Sequence, residues 1–229
     1  MVMYRFDQMS RYLDIIQRSL DQHFSEIDKA YDENIAHEME EEEYYSLKDE
    51  YTDKFIEAGR DFPDLFLSSF VIAWYSFIEQ ELADICRSLR VETDTSKKIK
   101  NEKGIRRSRK LLLEVAKYEI DPANWQELVE IGRLRNFIVH NGNTVHGHIF
   151  SLNDKEIVLV SHIGSTYYFS IDPVLFKYLK KHEIVEQTIS HLYISLTFNY
   201  CKYLVEFGET LLAKLHSDLH PLHSIELQY

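Results

Sequence analysis

Asp121-Pro122-Ala123-Asn124-Trp125-Gln126-Glu127-Leu128-Val129-Glu130-Ile131-Gly132-Arg133-Leu134-Arg135-Asn136-Phe137-Ile138-Val139-His140-Asn141-Gly142 reads as one helix with both of its end signals. Aspartate caps the start, and proline at the first helical position gives up only an N–H that has no intrahelical partner there. Trp125, Leu128, Ile131, Leu134 and Ile138 fall on a single apolar stripe. Asn141-Gly142 suits the left-handed conformation that ends helices. At about 100° per residue, Arg133, Asn136 and His140 share a face away from that stripe, while Arg135 projects near its margin. Both arginines therefore remain candidates for one role. A guanidinium holds phosphate through a bidentate fork, and histidine titrates closest to neutral pH, so the cluster points to phosphodiester chemistry. The plain alternative is helix-end chemistry, in which cations near a C-terminus meet the dipole and the free carbonyls.

Immediately upstream, Lys97, Lys98, Lys100, Lys103, Arg106, Arg107, Arg109 and Lys110 stand against the single acid Glu102, eight of the 26 basic residues in one short segment. On a chain of net charge −12 this is a local cationic patch on an acidic body. It reads as a linker followed by a short helix over Ser108–Tyr118; taken alone it is a solvated loop, and beside the Arg133–His140 face it is expected to act as a phosphate guide. Farther upstream, Leu65, Phe66, Phe70, Val71, Trp74, Phe77, Ile78, Leu82, Ile85 and Leu89 predict a central helix beginning after a break at Asp61-Phe62-Pro63-Asp64. Before the break, Asn34–Gly59 predicts a helix whose acidic first half, Glu38 and Glu40–Glu43, is a solvated face. Tyr4–Tyr31 carries the three- and four-residue spacing of an amphipathic first helix.

Downstream the texture changes. Residues 146–171 alternate and break at Asn153-Asp154 and Gly164-Ser165, which predicts a small antiparallel β-meander. Asp172-Pro173 restarts helix, and the apolar spacing from Val174 to Leu215 predicts one long closing helix, bent near Lys181-His182-Glu183. Residues 216–229 form a tail that is either flexible or pins a partner.

Composition bounds the class. At 229 residues, 45% apolar and with few glycines and prolines, the chain is expected to be one ordered domain spanning 1–229. Cys86 and Cys201 lie far apart in apolar helical stretches, which suits buried thiols in a reducing compartment. No run approaches the ~18 apolar residues of a membrane span, so a cytoplasmic protein without membrane association is expected. His140, His146 and His148 lack the cysteine or carboxylate partners of a metal site, so neither metal nor cofactor is expected.

Arg135-Asn136-x-x-x-His140, late in a helix with a polar residue after the arginine and a glycine closing it, resembles the R-x4-6-H motif of the HEPN superfamily. Arg133 satisfies the same motif at its longer spacing. The motif covers eight residues, and the succession of long helices extends the resemblance in architecture over most of the chain. It implies an all-α HEPN-like helical bundle, here with the β-meander inserted before the last long helix. It also implies a metal-independent endoribonuclease that works as a homodimer, with RNA as substrate, in toxin–antitoxin or antiviral defence. An antitoxin or defence-system protein is then an expected partner. One branch carries a modifiable tyrosine two positions after the histidine; Gly142 stands there instead. The implied roles are His140 as general acid/base, Arg135 or Arg133 as phosphate clamp and Asn136 as orienting amide. Two other readings of the same fold are a non-catalytic interaction module and a nucleotide-binding protein.

Overall fold

The computed structural model describes residues 2–35, 40–89, 102–141, 148–153, 156–163, 165–187 and 192–225. The chain forms helices α1 (Val2–Ile35), α2 (Glu41–Ile56), α3 (Phe62–Ser88), α4 (Gly104–Val115) and α5 (Pro122–Asn141), then strands β1 (His148–Asn153), β2 (Glu156–Ile163) and β3 (Ser165–Ile171). Helix α6 (Pro173–Lys181), strands β4 (Val185–Gln187) and β5 (Leu192–Ile194), and helix α7 (Phe198–Ile225) follow. Two compact units divide it, Met1–Asp7 with Val71–His140 and Tyr203–Tyr229, and Gln8–Phe70 with Asn141–Lys202. No described helix is long and apolar enough to cross a membrane.

The first unit is a helical bundle. Val71, Trp74, Tyr75, Ile78, Leu82 and Ile85 are buried at helical spacing along α3, and Leu128, Ile131, Leu134 and Ile138 along α5. Leu204, Val205, Leu211, Leu212 and Leu215 do the same on α7. Phe6 meets Phe77 edge to face at 5.3 Å between ring centroids, and Trp74 packs 6.3 Å from Phe207. Each large side chain withdrawn from water this way contributes ~1.5–3 kcal/mol. α7 comes close because it presents no side chain at Gly208, where a Cβ would lie 2.9 Å from Phe6 and 3.0 Å from both Ile78 and Trp74.

In the second unit, Ile27, Tyr51 and Ala58 are buried together, with Tyr31, Leu47 and Phe55 packed against them. Strands β1, β2 and β3 form a three-stranded antiparallel sheet in sequence order, pairing Leu152 with Ile157 and Leu159 with Phe169, with an irregularity between Ile149 and Ser151. Tyr178 and Tyr200 hydroxyls lie 3.1 Å apart, and the His182 ring packs against Tyr178 at a tilt of 46°, 4.5 Å between centroids.

The expected fold class, an all-α bundle with one β insertion directly before a single long closing helix, is corrected by the elements after Ile171. Helix α6 starts as expected, with the Asp172 carboxylate accepting from the Val174 N–H at 2.9 Å. It stops at Lys181: Glu183 takes a left-handed φ of 55°, and the Ile184 N–H returns to the Leu179 carbonyl. A second antiparallel pair, β4 with β5, then intervenes before α7, so the molecule combines a helical bundle with two β elements. The physical reason is that short apolar runs rich in Val, Ile and Tyr suit strand as well as helix, and spacing alone does not separate them.

Two helix boundaries are also corrected. The break expected at Pro63 is absent: α2 passes through a π-helical turn, Glu57–Asp61, straight into α3, with the Phe62 N–H donating five residues back to the Glu57 carbonyl. The wider turn accommodates a proline that cannot donate. The cationic linker is helical from Gly104 onward, so α4 begins four residues earlier than expected.

Candidate functional site

Asp121 fixes the entry of α5, accepting from the Ala123 and Asn124 N–H groups at 3.0 and 3.1 Å. From that start, helical periodicity carries Gly132, Arg133 and Asn136 to one face. They line a cleft of about 470 Å³ with Tyr75 and Glu79 of α3 and with Lys103 and Arg106 at the start of α4.

Two glycines shape it. A Cβ at Gly132 would lie 2.5 Å from the Tyr75 hydroxyl, so the missing side chain lets the phenol reach α5. Gly104, at φ +56°, opens α4 where a Cβ would collide with the Glu79 carboxylate. A carboxylate beside a helix start also meets the positive end of the dipole. Burial, then the nearby Glu79, pushes the Tyr75 phenol up to about 12, with Arg135 and Arg106 acting the other way. At neutral pH it stays a neutral hydroxyl.

Arg133 is held from below. Glu130 is only 5% exposed, and its Oε2 lies 3.6 Å from the Arg133 guanidinium while Gln126 donates to its other oxygen. Arg133 keeps 40% of its side-chain exposure, so it is braced yet still open to the cleft. Arg135 is turned elsewhere. Its guanidinium lies 5.8 Å from the Tyr75 ring centroid and donates to Asn136 Oδ1 at 3.0 Å, and it does not line the cleft.

A second cleft of about 550 Å³ lies between α4 and α5, lined by Arg106, Arg109, Lys110, Leu113, Trp125 and Gln126. The two share Glu102, Arg106 and Val129, so they form one groove along the α4–α5 seam. The Arg109 guanidinium sits over the Trp125 ring at 4.6 Å and within 3.7 Å of Glu119. Helical spacing explains the selection, since Arg106, Arg109 and Lys110 recur at three and four residues, whereas exposed Arg107 falls on another side and lines neither cleft. Lys97, Lys98 and Lys100 lie outside the described residues.

His140 is exposed and continues the cleft face one turn beyond Asn136, but it does not line the cleft. The structure thus brings Arg133 and Asn136 together with Lys103 and Arg106, and it brings neither Arg135 nor His140 into that lining. His146 lies outside the described residues, and among those described no group of His, Cys, Asp and Glu is placed to hold a metal ion.

The sequence singles out Glu79 and Glu81 as carboxylates within an apolar stretch, either functional or facing an arginine at the bundle edge, and Glu79 lines the cleft; Tyr75, Glu130 and Trp125 were missed as parts of the site. Glu130 was legible as the i, i+3 partner of Arg133. Trp125 read as core because it continues the apolar stripe, although it is only half-buried. Tyr75 carried no local signal, because its role comes from a neighbouring helix. No protein-family model matches the chain, and neither curated proteins nor solved structures show a significant match to it.

Proposed function

We propose that this chain binds RNA along the α4–α5 groove and cleaves it as a metal-independent, HEPN-type endoribonuclease in toxin–antitoxin or antiviral defence. The observation that carries the reading is the convergence of Lys103, Arg106, Arg133 and Asn136 on one cleft. Three cations and an amide, offset in part by Glu79 and Glu102 in the same lining, leave a net positive space of a size that suits a phosphate and its ribose. The R-x6-H spacing from Arg133 to His140, and the helical bundle that carries it, support the family reading.

Arg133 is the phosphate clamp in this account, because it lines the cleft while Arg135 is engaged with Tyr75 and Asn136. The Asn136 oxygen accepts from Arg135, which leaves its amide N–H groups to donate to a phosphate oxygen. His140 takes the proton from the ribose 2′-hydroxyl as that oxygen attacks phosphorus, and the bond to the 5′-oxygen breaks. Charge on the pentacoordinate phosphorus is offset by Arg133 and Arg106. The leaving oxygen needs a proton of its own. A second copy of the chain, presenting its own His140 at the exposed end of α5, supplies it, so the active species is a homodimer.

A second reading, RNA binding without cleavage, is favoured by one observation: His140 stands outside the cleft lining. Total RNA incubated in excess EDTA with wild type and with His140→Ala separates the two. Ends bearing 2′,3′-cyclic phosphate from wild type alone support cleavage. Binding by both proteins with cleavage by neither supports the second reading.

A further inference from the structure

We infer that the Trp125–Arg109 end of the groove is a nucleobase-stacking subsite, so that the preferred ligand is single-stranded RNA with its bases unpaired. The inference rests on the proposed RNA reading and deepens it. Four observations carry it. Trp125 is half-buried, not sealed in the core, and lines the second cleft. The Arg109 guanidinium carbon sits 4.6 Å from its ring centroid, and both indole and guanidinium are groups on which a base stacks. Leu113, 46% exposed, gives the same cleft an apolar wall that a phosphate alone has no use for. Finally, Arg106 lines both clefts, so a backbone phosphate held there leaves its nucleotide within reach of the aromatic end.

The geometry favours a strand over a mononucleotide. Trp125 and Asn136 lie eleven residues apart on α5. At 1.5 Å per residue they are separated by about 16 Å along the axis, the span of a short oligonucleotide and more than one nucleotide needs. Base-paired RNA hides its base faces inside the helix, so a stacking platform selects against it. An acidic peptide would satisfy the cations but gain little from the Trp125–Arg109 pair.

Tryptophan fluorescence tests the subsite in the full chain, because Trp74 is fully buried and Trp125 is not. The probes are a single-stranded adenosine oligoribonucleotide, an abasic ribose-phosphate oligomer of equal length, a duplex RNA and poly-glutamate. The expected result is quenching by the adenosine strand alone, with affinity on the order of tenfold above the abasic strand. Trp125→Leu should abolish that advantage, bringing the adenosine strand down to the affinity of the abasic strand, while Trp125→Phe should keep the advantage and lose the quenching. Equal affinity for both strands, unaffected by Trp125→Leu, would overturn the subsite while leaving phosphate binding intact. Binding of poly-glutamate as tight as that of the adenosine strand would overturn it in favour of an acidic peptide. Failure of every RNA probe to bind would overturn the RNA reading as well. Should Trp125→Leu unfold, binding of the adenosine strand to wild type without any quenching of tryptophan fluorescence would overturn the subsite equally well.

Discussion

Helices α2 and α4 are both short and heavily charged, of opposite sign, and they end in different situations. α2 carries Glu41, Glu42, Glu43, Asp49, Glu50 and Asp53 against Lys48 and Lys54. Its consecutive acids point around the helix, and its attachment comes from Tyr51, packed with Tyr31 at 5.2 Å between ring centroids. The Lys54–Glu50 pair, 2.6 Å apart, is exposed on both sides, and such pairs contribute ~0–1 kcal/mol. α4 buries Ile105, Ser108, Leu111 and Leu112 on one face, leaving Arg106, Arg109 and Lys110 along the edge where α5 supplies a wall. Both helices are charge-rich, with opposite sign. α2 lines a hollow of about 480 Å³ from its own stretch of chain, with Glu40, Glu42, Glu43 and Glu50; the cationic groove differs in that a second helix, α5, supplies part of its lining.

The sharpest way to break this comparison is to remove a cation from each helix region. Arg133→Ala leaves the buried Glu130 carboxylate without its guanidinium; breaking a buried pair costs 3–5 kcal/mol, and the partial exposure of Arg133 reduces the expected loss to ~1–3 kcal/mol. Adding Glu130→Gln should recover most of that loss in urea denaturation, while Lys54→Ala should stay within ~0.5 kcal/mol of wild type. Strict additivity of the Arg133 and Glu130 changes would mean that the two side chains are not coupled.

A smaller effect sharpens the contrast in packing. Gly208→Ala inserts a methyl among the buried Phe6, Ile78 and Trp74 side chains. Overpacking of ~1–3 kcal/mol should outweigh the ~1 kcal/mol gained in helix propensity, lowering Tm. Gly59→Ala meets only the Phe24 ring edge at 3.2 Å, and Phe24 is 42% exposed and free to give way, so Tm should hold or rise. Equal losses at both positions would remove the distinction.

The last effect shows itself only as the pH turns alkaline. The Tyr75 phenol is raised from 10 to about 12, so the folded state holds that proton more tightly than the unfolded chain. The associated stability is complete below pH 10 and lost as pH rises through about 12. Tyr75→Phe should flatten the fall in thermal stability across that window. The buried Cys86 thiol, raised from 9 to about 11, should contribute over a lower window and persist in the Tyr75 variant.

How much was legible in the sequence follows from where each signal resides. α5 announced itself because its cap, its stripe and its stop all lie within the helix. The π turn at Glu57–Asp61 was not legible, since a proline signals a break unless the preceding turn widens, and that adjustment is made by backbone carbonyls. The β4–β5 pair was hidden for a related reason: three-residue strands carry too few alternations to compete with a helical reading of the same apolar residues. Of the four α5 candidates, Arg133 and Asn136 line the cleft and Arg135 and His140 do not; which arginine enters was not legible, because Tyr75 draws Arg135 aside and only the tertiary structure brings Tyr75 there. The cationic run was recognised as a whole, and helical phase then selected Arg106, Arg109 and Lys110 from it.

The most direct test of the central claim is the salt dependence of binding of a single-stranded oligoribonucleotide to wild type, to Arg106→Ala/Arg133→Ala, and to the α2 control Lys48→Ala/Lys54→Ala. Each phosphate contact adds ~0.7 to the slope of log affinity against log salt for a single strand. The account expects the groove variant to bind more weakly with a slope shallower by ~1.4, and the α2 variant to match wild type. Equal slopes for wild type and the groove variant would contradict it.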